Sequence, residues 1–256
     1  MPSITADDGV EIVYDIWGKP SARPPVVLHH GFIGDANLNW VLPGIVSHLT
    51  QRGFRVVAPD ARGHGRSGKP HDPARYGERR MAQDLLALVA DIGAPEVDLV
   101  GYSMGSIVCL IAASQAERVR RLVVGGVGAG VVELGGVDTR VLDSDTLVQA
   151  LEAPSPAGVA HAEAVAFRMF ADAVGADRLA LAAHARVVNA EPIALDRITA
   201  PTLVIAGDRD ELAVRPQVLA DATPNARVEL MDGDHLAALN DPRLSRLVAD
   251  FLAQDS

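Results

Sequence analysis

The chain has one cysteine, Cys109, among 256 residues. An internal disulfide is impossible, which excludes a disulfide-built secreted scaffold and is compatible with a reducing compartment. Basic residues are in the minority, 23 against 33 acidic ones, for a net charge of −10. A partner bound through its phosphates needs local positive charge, so no nucleic acid partner is expected. An anionic membrane surface is disfavoured for the same reason. A leader is also missing from what can be read: Met1 to Asp8 shows neither a basic stretch nor an apolar core, and a cytoplasmic location is expected. Long apolar runs are nearly absent. Leu99 to Ala116 is uncharged and carries Gly101 and Gly105 in GxxxG spacing, but serines, a glutamine and glycines dilute it. A soluble reading explains that stretch better than a membrane span. No repeat or low-complexity tract stands out.

What is present describes a folded globule. Hydrophobic residues make up 48% and charged residues 22%, which excludes a disordered chain. The length allows one large domain or two small ones, able to bury roughly 70–75% of the unfolded surface without cross-links. Short apolar runs at Val26–His29, Arg55–Pro59, Val97–Tyr102, Arg121–Gly125, Thr202–Ala206 and Arg227–Met231 read as strands. Helix-period segments lie between them, at Trp40–Gln51, 76–92, Met104–Gln115 and Arg215–Asp221, with a last one around Leu244–Leu252. Gly93 and Pro95 stop the second of these. Apolar strands alternating with helices predict an α/β fold with a mostly parallel sheet and helices on both faces. Glu11–Trp17 alternates more and is expected near an antiparallel edge. The segment 126–197 interrupts the pattern: it opens glycine-rich and continues with alanine-rich helical stretches near 143–152, 160–174 and 176–188. A structureless loop of that length is improbable, so it reads as a helical insertion between core parts 1–125 and 198–256.

The sharpest motif is Gly101-Tyr102-Ser103-Met104-Gly105, a G-x-S-x-G between a predicted strand and a predicted helix. A strand turning sharply into a helix holds the serine in strained backbone and needs small neighbours. The hydroxyl of Ser103 is lifted above the sheet edge, and the Met104 N–H, at the first helical turn, favours an anion there. A nucleophilic serine needs a base, and His235 follows the last strand at the same sheet edge. The base needs an orienting carboxylate, which Asp208 or Asp210 after the preceding strand can supply.

Together these marks, with His29-His30-Gly31-Phe32 and Asp60-Ala61-Arg62-Gly63-His64-Gly65-Arg66-Ser67, resemble the α/β-hydrolase fold family over nearly the whole chain. The resemblance implies Ser103 as nucleophile, His235 as general base and Asp210, three residues after Gly207, as the orienting acid. It implies an oxyanion hole from the Phe32 and Met104 N–H groups. His-Gly-Phe departs from the HGGG type, so the Phe32 side chain is expected to line the pocket. Phe167, Met169 and Phe170 are expected either in helix packing or in the pocket roof, with Phe167 and Phe170 as substrate-contact candidates. A small or medium carboxylic ester is the implied substrate. A lactone, an enol-lactone or a C–C bond substrate is the alternative, and a receptor-like ligand binder with a vestigial triad is the reading from another class. A serine rather than an aspartate at 103 argues against dehalogenase and epoxide hydrolase chemistry.

Other features read as structural. Gly63-His64-Gly65-Arg66-Ser67-Gly68 is a literal GxGxxG, but it stands three residues past its strand and Pro70 and Pro73 follow, so no dinucleotide is expected. No HxH or HExxH occurs, His29 and His30 should point to opposite sides, and no metal or cofactor is expected. Asp234 is expected to point to solvent, and His161 and His184 to be exposed or satisfied by neighbours. Cys109 is expected in the core, and the arginines at 79–80 and 118–121 on solvated faces or in ion pairs.

Overall fold

The computed structural model describes residues 1–254. Its strands are β1 (Ser3–Thr5), β2 (Glu11–Trp17), β3 (Val26–His29), β4 (Val56–Pro59), β5 (Val97–Tyr102), β6 (Val119–Gly125), β7 (Thr202–Gly207) and β8 (Ala226–Met231). They form one 8-stranded sheet in the order β1-β2-β4-β3-β5-β6-β7-β8. β1 and β2 are antiparallel to their neighbours, and β4 through β8 run parallel. β3, β4, β5 and β7 are buried at every position. Both faces of these strands are covered, which is why they are apolar throughout rather than alternating.

The helices in chain order are α1 (Ile45–Gln51), α2 (Glu78–Ile92), α3 (Met104–Ala113), α4 (Ala129–Leu134) and α5 (Ser144–Glu152). They continue as α6 (Ala162–Ala173), α7 (Arg178–Ala185), α8 (Pro216–Ala222), α9 (His235–Asn240) and α10 (Pro242–Leu252). One face of the sheet packs α2, α3 and α8 through residues such as Leu85, Leu88, Ile107 and Leu219. The other packs α1 and α10 through Ile45, Leu49, Val248 and Phe251. Every residue of α3 is buried, so the uncharged stretch from Leu99 is the centre of the fold. An apolar surface all round a helix is what complete burial demands. Among the described residues no helix is long and apolar enough to cross a membrane.

Two local features differ from the sequence reading. Trp40–Gln51 is not one helix: a π-type turn over Asn37–Val41 is followed by a break, and α1 starts only at Ile45. Gly44, with φ 82°, takes the left-handed conformation that ends the first turn, and Pro43 before it cannot donate to a continuing helix. The glycine-rich stretch after β6 holds helix α4, which closes on Gly135 at φ 84°. α4 lies against α8 in the core. Helices α5, α6 and α7 start close to the expected positions, and Asp143 and Asp177 cap the first and third by accepting backbone N–H groups. They share a cluster of Val148, Leu151, Ala171 and Leu181, into which Ile33 from the loop after β3 inserts.

Candidate active site

The carboxyl ends of β3, β5, β6 and β7 and the loop after β8 converge on one point. β5 ends in the turn to α3, where Ser103 sits at φ 54°, ψ −120°. A non-glycine residue held there stores strain of about 1–3 kcal/mol. The surroundings leave no slack: a Cβ on Gly101 would overlap the Gly105 carbonyl, and one on Gly105 would overlap the carbonyl of His29. The turn is pinned by Ser103 N–H donating to Gly125 O at 2.8 Å, and by Ser106 Oγ donating to the same carbonyl at 2.8 Å.

His235 opens α9, directly after Asp234. Its Nδ1 lies 2.8 Å from Asp210 Oδ2. The carboxylate accepts that N–H, so Nδ1 carries the proton and Nε2 is left as the basic nitrogen. The Asp210 side chain is fully buried, and its other oxygen accepts Leu212 N–H at 3.0 Å. Asp208 faces elsewhere: it accepts Gly233 N–H at 2.8 Å and so ties the loop after β7 to the loop after β8. Asp234 is exposed, as expected, and also caps α9 by accepting the N–H groups of Leu236 and Ala237. The His235 ring leans on Tyr102 at 5.2 Å between centroids, and Tyr102 Oη donates to the His235 carbonyl at 2.6 Å. Burial pushes the Tyr102 phenol well up from its ordinary value, so it stays a protonated donor.

The loop after β3 supplies the facing wall. Gly31 N–H donates to Asn39 Oδ1 at 2.7 Å, and a Cβ on Gly31 would come 3.3 Å from Ser103 Cβ. Among the described residues no backbone acceptor takes the N–H of Phe32 or Met104. The loop is held from below by His30, whose Nδ1–H donates to Gly31 O at 2.8 Å while its Nε2 accepts Ala61 N–H at 2.8 Å. Both nitrogens are used and burial depresses the imidazole's pKa, so His30 is neutral and structural. His29 and His30, expected to diverge, have rings 5.7 Å apart and stacked, because the chain leaves the strand between them. No group of three His, Cys, Asp or Glu that could hold a metal occurs among the described residues.

Ser103 and His235 open onto a cavity of about 240 Å³. Phe32, Phe167, Phe170, Leu212, Leu236 and Leu239 give it an apolar wall. Phe167 and Phe170 of α6 therefore line the cavity, Phe170 with part of its ring exposed, whereas Met169 of the same helix is exposed and does not line it. No Asp, Glu, Lys or Arg lines this cavity.

Residues 24–129 match the family model described as the alpha/beta hydrolase fold. Over 252 residues the chain is 32% identical to a Pseudomonas savastanoi pv. phaseolicola protein provisionally assigned as carbamate hydrolase RutD, covering 90% of this chain and 93% of that one. The chain belongs to the α/β-hydrolase family. Within the family it is 40% identical over 131 residues to a non-heme haloperoxidase of Rhodococcus erythropolis, a match covering 49% of this chain and 44% of that protein. That stretch spans less than half the length of the relative. The crystal structure of the enol-lactonase from Burkholderia xenovorans LB400 superposes with a TM-score of 0.80 at 26% identity, covering 99% of this chain and 100% of that one.

Among the residues that this α/β-hydrolase brings to the site, Asn39, Tyr102 and Leu212 were not singled out by sequence. Asn39 stands just before the helix expected at Trp40–Gln51, and it is the π-type turn over Asn37–Val41 that brings its side chain to Gly31. Tyr102 occupies a variable position of G-x-S-x-G. Its link to His235 depends on a contact 133 residues away, which local pattern does not carry.

Proposed function

We propose that this α/β-hydrolase family member is a serine hydrolase that cleaves carboxylic esters of small, uncharged acyl groups, without metal or cofactor. One observation carries the reading: a strained serine and a histidine, the latter held at 2.8 Å by a buried carboxylate, open together onto an apolar cavity. His235 Nε2 takes the Ser103 proton as Oγ attacks the ester carbonyl. Negative charge develops on the carbonyl oxygen, and the unpaired Phe32 and Met104 N–H groups stabilise it at about 3–4 kcal/mol each. His235 then protonates the leaving alcohol, and a water activated by the same nitrogen releases the acid. Asp210 stabilises the imidazolium without itself taking the proton. Helices 126–197 act as a cap that roofs the acyl side with Phe167 and Phe170.

The cavity supports one substrate class. Its volume of about 240 Å³ holds about eight water-sized groups at ~30 Å³ each, which suits a short acyl chain. With no cationic side chain in its wall, an acyl group bearing a carboxylate would be desolvated without a partner. A lactone of similar size is the second reading, favoured by the 0.80 TM-score to an enol-lactonase. The test is hydrolysis of p-nitrophenyl esters of rising acyl length by the parent and by Ser103→Ala. Expected is turnover with an optimum at short chains and loss of nearly all of it in the variant. A folded parent inactive on every ester but active on lactones moves the assignment to lactonase, and one that binds but turns over neither is a receptor. A Ser103→Ala variant as active as the parent sinks the mechanism.

A further inference from the structure

Behind the cavity wall lies a buried polar pair that the proposed chemistry does not use. Glu78, the first residue of α2, and His184, on α7, are 2% and 1% exposed. His184 Nε2 stands 3.5 Å from Glu78 Oε1, and no nitrogen of this ring has a hydrogen bond among the described residues. Well-packed apolar side chains in place of a buried charged pair are often neutral or stabilising, so stability alone does not account for one here. Its neighbours point to a geometric role. The Phe32 ring meets the His184 ring edge-on at 5.5 Å, and Tyr76 stacks on His184 at 5.9 Å and 17°. His64 stands beside both rings, 5.8 Å from Phe32 and 6.2 Å from His184, so the three rings pack on one another in a triangle. Its Nδ1–H donates to Arg62 O at 2.9 Å, and burial holds it neutral.

The other end of Glu78 reaches the two segments that join the middle helices to the core. Its Oε2 accepts Asn189 N–H at 2.6 Å. Asn189 Nδ2 donates to Gly135 O on the outgoing segment at 2.6 Å and to Glu191 O on the returning one at 2.8 Å. Arg79 Nε donates to Asn189 Oδ1 at 3.0 Å. Burial alone would raise the Glu78 carboxyl, but His184, the Asn189 N–H and its place at a helix start outweigh it, and the group is held below its ordinary value. One ionised carboxylate thus touches both the joint of the middle helices and the ring that backs Phe32.

We propose that Glu78 and His184 are positioning residues: together with Asn189 they clamp α7 to the core and fix the Phe32 ring, and so set the acyl length that the cavity accepts. The proposal rests on the serine-hydrolase reading for its kinetic part only. Loosening the clamp frees the Phe32 ring to move back and lets longer acyl chains enter. The experiment compares the parent with Glu78→Gln and His184→Gln, using the p-nitrophenyl ester series and amide hydrogen exchange. Expected for both variants is an optimum shifted to longer chains. KM for the shortest ester rises about tenfold with kcat changed less than threefold, and protection falls at Gly31, whose N–H donates to Asn39, and in α7. A variant of lower melting temperature that keeps the parent's length profile, or keeps protection at Gly31, overturns the proposal, because that is what a merely structural pair would do. If Glu78→Gln does not fold, His184→Gln, which spares the Asn189 bond, decides alone. If the folded parent hydrolyses no ester, the serine-hydrolase reading has failed, and hydrogen exchange at Gly31 and in α7 judges the clamp by itself.

Discussion

Gly126 shows how closely single residues are fitted around the proposed base. It sits just past β6 at φ 67°, and a Cβ there would come 2.7 Å from His235 Cε1 and 2.9 Å from the Tyr102 ring. Gly126→Ala would have to displace the imidazole, in addition to a left-handed backbone cost of about 1–2 kcal/mol. A displacement near 1 Å costs about 100-fold in rate, so kcat should fall 10- to 100-fold with the circular dichroism spectrum unchanged. A variant of parental kcat would show that His235 has room the geometry denies it. Asp210→Asn tests the partner. An amide in place of the carboxylate can hold the wrong tautomer, with its NH₂ donating to Nδ1 and the ring proton on Nε2. A loss of about 10⁴-fold in kcat is expected. A loss below tenfold would mean that the 2.8 Å contact is structural only. At this scale the sequence was legible where a motif has local meaning. Ser103 is marked by its glycines and His235 by its place after the last strand. The choice of Asp210 over Asp208 came from family spacing, and the two carboxylates differ only through contacts to Leu212, Gly233 and His235 that folding creates.

At the scale of elements, apolar runs and helical periods located nearly every strand and helix, because burial on two faces leaves a strong pattern. They failed at Trp40–Gln51, where apolar spacing continues through Pro43-Gly44 although the backbone cannot. They also passed over α4, whose glycine-rich sequence opposes a helix that tertiary packing nevertheless supports. The literal GxGxxG is instructive in the other direction. Its loop serves as a joint between elements, through the arginine that precedes it. The Arg62 side chain, fully buried, meets Asp84 of α2 through Nε at 2.6 Å and Nη2 at 2.7 Å, and Asp8 in the β1–β2 turn at 2.8 Å. Nη1 also donates to Arg75 O at 2.6 Å. Burial already raises the Asp84 carboxyl despite this partner. Arg62→Ala would leave it buried with only Arg80 Nη2, 4.0 Å away, as a partner, and urea unfolding should report a loss of about 3 kcal/mol. The double variant Arg62→Met with Asp84→Leu should recover most of that loss, since it removes both charges and refills the volume. A double variant as unstable as the single one would place the cost in Asp8 and the Arg75 carbonyl instead.

For the whole molecule, the buried ionisable groups set how stability depends on pH. His29, His30 and His64 are 3%, 0% and 2% exposed. Burial depresses all three: His29 is pushed down to about 3, His30 is lowered and His64 lies well below its ordinary value. In the unfolded chain each would titrate near 6.5. Below that pH the unfolded state takes up protons that the folded state refuses, so stability falls as pH drops from about 6.5 towards 3. Asp98 acts in the opposite sense. It is buried in β5 beside Arg120 at 2.6 Å, and burial raises it to about 6 in spite of that partner. Between about 6 and 4 the folded state holds a proton on Asp98 that the unfolded state has released, so this group adds stability as pH falls. The three histidines, joined by Glu78, which is held below its ordinary value, oppose Asp98 and Asp84, which burial raises, and the parent should lose stability on acidification through this window. Asp98→Asn keeps an acceptor for Arg120 but removes the opposing proton uptake. Its stability should therefore fall more steeply than the parent's, by roughly 1.4 kcal/mol per pH unit between pH 6 and 4. Urea unfolding at pH 4, 5, 6 and 7 for both proteins measures the two slopes directly, and the slope rather than the absolute stability is diagnostic, because the substitution also alters the ion pair at neutral pH. Parallel slopes would mean that Asp98 stays ionised through pH 4, held by Arg120 against its burial.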